Sequence, residues 1–370
     1  MEKMRSDEAM DSEIWRRIPK DLLERVLSFL PLKTFLSLRS TCKHFHSLLF
    51  SPPFITTYSS SPSSTPFSSF FLLSHPQFSR KYPLFDTVHG SWRHLSISLP
   101  SPVLLSSSNG LLCFSLQNSH SFIISNLISN TSRLVKFPIL PFSIDSLTLV
   151  SLPDGSYKIL VIKSSLPPWK STFVYDSSDH SWRKFQDFKP ALANCINHHQ
   201  EGILHRGSLH FITPEPFRVF CFDLDAGEWQ RSAMEMPVAD LTFARLVSDA
   251  GGGKLYLVGG VGRNGISRSM KLWEKKEEGG GERWAEVAGD SVPEMMCRKL
   301  MSVCYHNYEH VYCFWHQGLV CICCYTWPEI LYYKVSRKTW HWLPRCPSLP
   351  DKWSCGFRWF SFVPQLYASV

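Results

Sequence analysis

The segment Phe173–Phe185, FVYDSSDHSWRKF, fits an aromatic-rich strand, an aspartate, a polar run and a strand-opening tryptophan into thirteen residues. A strand pattern broken by Asp and Ser and then resumed is the mark of an antiparallel hairpin. The arrangement recurs at 83–95, PLFDTVHGSWRHL, and at 219–232, VFCFDLDAGEWQRS. In all three the Asp precedes the Trp by six residues: Asp86 and Trp92, Asp176 and Trp182, Asp223 and Trp229. Residues 332–344, YYKVSRKTWHWLP, keep the spacing with Lys334 and Trp340. Residues 270–287 read as the same hairpin with a Gly-rich turn lengthened by four residues, closing on Trp284. A degenerate copy, IISNLISNTSRLVKFP at 123–138, has Asn126 for the Asp and Leu134 near the Trp position.

The closing positions 92, 134, 182, 229, 284 and 340 lie 42 to 56 residues apart, the length of one four-stranded blade. Six copies in register imply a six-bladed β-propeller over residues 70–370. In each hairpin the turn residue keeps the reversal hydrated, and the Trp is placed to cover the gap to the next blade. Blade three reads as strands Asp145–Leu152, Tyr157–Lys163, Thr172–Tyr175 and Trp182–Phe185. Blade five reads as Phe243–Ser248, Lys254–Gly260, Met270–Trp273 and Arg283–Val287, and blade six as Leu300–Tyr305, Val311–His316, Ile330–Lys334 and Thr339–Leu343. Blade one has three evident strands, near 69–75, 82–86 and 92–98, and the strand-like Phe357–Val363 has no blade of its own. An open ring would leave two unpaired edges, so Phe357–Val363 is expected to complete blade one.

Composition agrees with a tightly packed β-rich protein. Of the 370 residues only 19% are charged while 14% are aromatic, with 13 Trp and 26 Phe. The formal charge is +8, yet the densest basic run, Lys271–Arg283, is interleaved with Glu274, Glu277, Glu278 and Glu282. A nucleic-acid groove needs a stripe of one sign, so nucleic acid is not an expected partner. The first residues, MEKMRSDEAMDSEIW, lack the apolar core of a signal peptide. No apolar run approaches the ~18 residues of a spanning helix. A cytoplasmic or nuclear location follows as the expectation, with no membrane partner and with the 12 cysteines as free thiols.

Ahead of the strands, residues 14–50 read as helical. Leu22, Leu23, Val26, Leu27, Phe29 and Leu30 fill one arc of a helical wheel, with Asp21, Glu24, Arg25 and Ser28 on the rest. Asp21 with Glu24 three residues on resembles a capping box, and Pro31 stops the helix. Two further helical runs follow, Lys33–Ser40 and Cys42–Phe50. So short a head cannot bury all this apolar surface alone, and the tract Thr56–Phe70, TTYSSSPSSTPFSSF, has a linker composition. The expected plan is a disordered 1–13, a helical head at 14–54, a Ser/Thr/Pro linker at 55–69 and the propeller at 70–370. A head with surplus apolar surface on a soft hinge calls for a partner protein.

The head resembles an F-box: Ile18-Pro19, then Leu22 to Leu27, Leu30-Pro31, and Cys42-Lys43-His44-Phe45, with Ile18 in place of the usual Leu. The repeats resemble kelch or galactose-oxidase-like blades, with Gly259-Gly260 after Leu255–Val258 matching the kelch double glycine that the other blades lack. The whole looks like a plant F-box/kelch-repeat protein, mainly β with a small α head: a three-helix F-box before a six-bladed propeller. The resemblance implies a non-catalytic substrate receptor of a cullin-RING (SCF-type) ubiquitin ligase. The head would bind a Skp-type adaptor, and through it cullin and RING protein, while the propeller holds an unidentified target protein. Carried over by position, the adaptor contacts are Ile18, Pro19, Leu22, Val26, Leu27, Leu30 and Pro31. The same surfaces would also serve a scaffold or transcriptional cofactor that works without degradation.

The residues that could carry catalysis or a metal also have structural readings. Cys321 and Cys324 have the gap of a zinc half-site, but no second half-site lies at a suitable spacing, and Cys313, Cys321, Cys323 and Cys324 sit in a run that alternates like a buried strand. A galactose-oxidase-like copper enzyme would draw on Tyr305, His306, His310 and Tyr312, which form no recognisable motif. No cofactor or metal is therefore expected, and His198-His199 reads as a solvated loop pair. The target-facing set is expected on the connections between second and third strands of the blades, as Trp169, Phe217, Arg263, Arg268 and Trp327. Exposed Trp, Phe and Arg suit recognition, although each could equally pack on a neighbouring blade.

Overall fold

A computed structural model describes residues 17–59 and 69–370, except 79, 99–101, 117–119, 140–143, 165–169, 189–198, 250, 252, 279–280, 288–290, 350–351, 367 and 369. The chain divides into two compact units, 1–67 and 68–370.

The larger unit is a propeller of six four-stranded antiparallel sheets. Blade two comprises Pro102–Ser108, Leu111–Leu116, Ser121–Asn126 and Thr131–Lys136, and blade three Ser146–Ser151, Tyr157–Ser164, Lys170–Asp176 and Ser181–Phe188. Blade four is the slightest: Ile203–His205, Ser208–Ile212, Val219–Asp223 and Trp229–Arg231. Blade five holds the longest strands, Leu241–Ser248, Leu255–Arg263, Ile266–Glu278 and Gly281–Glu286. Blade six is Val311–His316, Leu319–Cys324, Trp327–Lys334 and Thr339–Trp342. Blade one joins both ends of the unit: Phe70–Ser74, Lys81–Asp86 and Ser91–Ser96 are completed by Arg358–Phe362, in register from Phe70 opposite Phe362 to Ser74 opposite Arg358. This is the closure expected from the sequence.

The recurrent hairpins share a local cause. The Asp or Asn side chain accepts backbone N–H groups two and three residues on: Asp86 from Val88 and His89, Asn126 from Ile128, Asp176 from Ser178, Asp223 from Asp225 and Ala226. Four residues after the Asp or Asn the chain enters the left-handed region, at Gly90, Asn130, His180 and Gly227, and in blade six at Lys338, four after Lys334. That pairing of an Asx turn with a left-handed residue is what the constant offset encodes. The tryptophans that follow pack backward, onto the preceding blade and not the next. Trp182 donates from Nε1 to the Lys136 carbonyl of blade two at 2.8 Å, and Trp229 to Thr172 Oγ1 of blade three at 3.0 Å. In blade two the equivalent position is Ser132, opposite Ser125, while Leu134 points outward with 53% of its surface exposed.

Two assignments made from the sequence are corrected. Residues 294–303 form a helix, Glu294–Val303, so the first strand of blade six is Val311–His316 and its second is Leu319–Cys324. Cys297, Leu300, Met301 and Cys304 recur at helical spacing and are all buried, which outweighs the β-like run read at 300–305. In blade five the presumed loop at 261–268 is strand, closed by the two-residue turn Asn264-Gly265 with both residues at positive φ. Its far end is also extended: Lys275 pairs with Trp284, Lys276 with Arg283 and Glu278 with Gly281. Lys275 meets Glu282 at 2.6 Å, and Glu277 meets Arg206 of blade four.

Six apolar clusters fill the clefts between neighbouring blades, including the seam where blade six meets blade one. Nearer the axis, polar side chains stitch the first strands together. Ser106 Oγ takes the Leu149 N–H at 3.1 Å, Thr148 Oγ1 takes the Gly202 N–H at 2.9 Å, and His316 Nδ1 lies 2.8 Å from Ser361 Oγ. Arg245 donates from Nε to the Val311 carbonyl at 2.6 Å, and burial lowers its pKa to about 10. Past the closing strand the chain runs beneath blade two, where Asn126 Nδ2 donates to the carbonyls of Gln365 and Ala368.

The smaller unit contains α1 (Lys20–Ser28), α2 (Leu32–Leu38), α3 (Lys43–Leu48) and a further helix, α4 (Pro52–Ser59). Proline, not a capping box, opens the first helix: Pro19 is the N-cap and makes no side-chain bond, leaving Asp21 in the first turn. Phe35, Phe54 and Tyr58 form an aromatic centre with ring separations of 5.0 to 6.0 Å, and the Tyr58 hydroxyl donates to the Leu30 carbonyl at 3.0 Å. The tract read as a linker thus begins with the last turns of α4. Residues 60–68 of it, like the N-terminal 1–13, lie outside the described residues.

Candidate functional site

Among the described residues two surfaces remain unfilled by the packing. On the head, the apolar arc of α1 divides between an inner and an outer edge. Leu27 turns inward and is 4% exposed. Leu22, Val26 and Phe29 are 50%, 43% and 47% exposed, and their i, i+4, i+7 spacing makes one outward stripe. Pro19 is exposed beside it, and Ile18, Leu30 and Pro31 are half-buried. Phe29, and Phe50 at 51% exposure, were not among the expected contacts. An amphipathic wheel shows which residues are apolar, but not which edge its own neighbours cover.

On the propeller, the connections between second and third strands share a face with those that lead into the next blade. Arg263 and Arg268 lie there and are exposed, with no acidic partner among the described residues. Arg263 is directly opposite Ile266 across the Asn264-Gly265 turn, and Arg268 is the residue left over where the register shifts between Val261–Ser269 and Gly262–Ser267. A bulge of this kind re-aims the side chain it frees. Phe217 faces inward against the cluster between blades four and five. Its loop is drawn tight by Thr213, whose Oγ1 donates to the Pro216 carbonyl at 2.8 Å and accepts the Arg218 N–H at 2.9 Å. Trp327 is half-buried, edge-on to Trp353 with centroids 5.9 Å apart. Trp169 lies outside the described residues.

The same face carries side chains that strand reasoning missed. The outer surface of the helix Glu294–Val303 exposes Met295 at 74%, and Tyr305 just beyond it is 78% exposed. Tyr305 and His306 both have positive φ, 52° and 53°. Two consecutive non-glycine residues in that region cost about 1–2 kcal/mol each. Tyr308 ties this segment to the blade-five hairpin, its hydroxyl accepting the Ser267 N–H at 2.8 Å. The signal was present as Pro293 followed by apolar residues at 297, 300, 301 and 304.

The cysteines and the Tyr/His group do not converge. Cys321 belongs to the cluster against blade one and Cys324 to that against blade five, so the two thiols point to opposite faces of one strand. Burial raises the pKa of both. Tyr312 is buried, its hydroxyl donating to the Phe357 carbonyl and accepting the Trp359 N–H at 2.7 Å. His199 stacks on Tyr325 at 4.1 Å, while His198 lies outside the described residues. Among the described residues no group of three or more His, Cys, Asp or Glu is arranged to hold a metal, and no helix is long and apolar enough to cross a membrane.

Comparison with known proteins gives these surfaces a context. Residues 15–57 match the F-box domain family. An F-box/kelch-repeat protein of Arabidopsis thaliana is 50% identical, covering 98% of this chain and 90% of its own length. F-box only protein 6 of the same plant is 25% identical over 91% of this chain and 71% of its own. The rice protein ABERRANT PANICLE ORGANIZATION 1, from Oryza sativa subsp. japonica, is 28% identical over 96% of this chain and 90% of its own.

Proposed function

Because this chain belongs to the plant F-box/kelch-repeat proteins, we propose that it is the substrate-recognition subunit of a cullin-RING ubiquitin ligase. The head binds a Skp-type adaptor, which brings cullin and RING protein, and the propeller holds the target protein without catalysing a reaction itself. The observation that carries this reading is the outward stripe of Leu22, Val26 and Phe29. Three half-exposed apolar side chains on one helix edge are stabilised by a protein surface that removes them from water, at about 25 cal/mol per Å² of apolar area. Pro19 extends that edge, and Leu27, Leu30 and Pro31 hold the helix in place behind it. On the propeller the proposed target face includes Arg263, Arg268 and Trp327, with Met295 and Tyr305 added.

The test is affinity capture of the full chain under proteasome inhibition, wild type against a Leu22→Asp/Val26→Asp variant. Loss of adaptor and cullin from the variant, with other partners retained, is the expected result. Equal adaptor capture by both proteins contradicts the reading. Target levels that do not respond to the inhibitor would favour a scaffold over a degradation receptor.

A further inference from the structure

We propose that the target is gripped by the blade-five hairpin tip and the adjoining blade-six helix through an acidic segment that also carries a large apolar side chain. This rests on the reading of the chain as a target receptor and specifies the chemistry of what it receives. Six large apolar side chains are exposed among the described residues of the propeller: Val88, Val103, Leu134, Ile266, Met295 and Tyr305. The last three stand on one face, at the hairpin tip, in the first turn of the helix and just past its end. Tyr305 is held outward by a left-handed backbone that closes the helix, its N–H bonded to the Ser302 carbonyl and the His306 N–H to the Met301 carbonyl.

Charge decides the partner's sign. Over much of the propeller, basic side chains are matched by acids: Arg183 with Asp179, Lys254 with Glu274, Lys271 with Glu286, Lys299 with Glu329. At the hairpin tip Arg263 and Arg268 flank Ile266 without such a match among the described residues. Among the described residues Asp240, whose carbonyl takes the Gly262 N–H, is the acid beside them, and two arginines outnumber it at the tip. Arg298 on the outer face of the helix shares its charge with Glu294 only through an exposed pair, which contributes about 0–1 kcal/mol. A carboxylate placed between Arg263 and Arg268 would complete the pairing, and an apolar neighbour would cover Ile266 or Tyr305. Tyrosine and arginine around an apolar centre are the residue types that dominate interface energetics.

The experiment pans a phage-displayed random dodecapeptide library on the immobilised full chain. It compares wild type, Arg263→Glu/Arg268→Glu and Ile266→Ser/Tyr305→Ala, each shown to melt at the wild-type temperature. Wild type should enrich peptides with Asp or Glu within a few positions of Leu, Ile, Phe or Trp. The leading synthetic peptide should lose at least about tenfold in affinity on either variant, weaken as salt rises, and regain affinity for the Glu variant when its acids are changed to Lys. The proposal is overturned by enriched peptides without acids, by acidic peptides indifferent to both variants, by no enrichment at all, or by tighter binding of a 20-base-pair DNA duplex than of any peptide. Adaptor capture is scored on the same preparations. Its retention beside a negative panning result sinks the acidic-segment proposal alone, whereas its absence from wild type sinks the receptor reading.

Discussion

The Gln200 side chain is bonded at both ends of its amide to the backbone of Cys313, 113 residues away: Nε2 donates to the Cys313 carbonyl at 3.0 Å and Oε1 accepts the Cys313 N–H at 2.8 Å. Gln200 leads into blade four and Cys313 belongs to blade six, so this amide links two blades that are not neighbours in the ring.

Replacing Gln200 with Ala leaves a buried N–H and C=O of blade six without partners. Each such group costs about 1–3 kcal/mol. Gln200→Ala should therefore lower the stability of the propeller by about 2–6 kcal/mol, read as a shift of the urea midpoint at unchanged slope. A shift below about 0.5 kcal/mol would show that water replaces the amide.

His316 gives the fold a defined acid sensitivity. Its ring is buried against Phe71, and desolvation lowers its pKa to about 3 from the usual 6.5. The folded protein thus binds fewer protons here than the unfolded chain. The stability is present above pH 6.5 and is lost as pH falls below it. Between pH 7.5 and 5 this one residue accounts for roughly 2 kcal/mol. His316→Gln, which keeps a polar group beside Ser361, should flatten the stability profile by that amount relative to wild type. Parallel profiles for the two proteins would refute the assignment.

The left-handed turn position offers substitutions of opposite sign. Lys338→Gly relieves a lysine from positive φ and should stabilise blade six by about 1 kcal/mol. Gly90→Ala adds a methyl group where nothing lies within 4 Å, so only backbone strain of about 1 kcal/mol opposes it. Gly227→Ala drives its methyl group into the Phe185 ring as well. Thermal melts should rank the three proteins Lys338→Gly, Gly90→Ala, Gly227→Ala in falling stability.

The head should separate folding from binding. Leu27→Ala empties a buried site and should cost about 2–5 kcal/mol in stability of the head. Val26→Asp, one residue earlier but 43% exposed, should leave the melt within about 0.5 kcal/mol of wild type while abolishing adaptor capture. If Val26→Asp captures adaptor normally, the outward stripe is not the docking edge.

The propeller was legible because its repeats are local. An Asx turn, a left-handed residue and a Trp all lie within one hairpin, so a spacing rule finds them without knowledge of the ring. The Asn264-Gly265 turn is equally local, yet ending the second strand at Gly260 and opening the third at Met270 places it in a long loop. The Glu294–Val303 helix was obscured because a short apolar run such as 300–305 fits either period. The bonds of Gln200, Arg245 and His316 join residues from 45 to 113 positions apart, and nothing in their own neighbourhoods announces them. The exposed set at Met295 and Tyr305 was hidden for the same reason: outward orientation depends on what the rest of the chain covers.

Blade one borrows its innermost strand, Arg358–Phe362, from chain made 288 residues after Phe70. At about 5–20 residues per second, a ribosome takes roughly 15–60 s to span that interval. The head, complete by Ser59, has emerged long before. During that time a nascent chain carries a finished helical head ahead of an unclosed ring, with the edge of Phe70–Ser74 still open. On the receptor function proposed above, a ribosome that stalls before residue 358 would release a molecule able to occupy the ligase yet lacking the strand that closes its propeller. Such a product would act as a competitor of the full-length receptor.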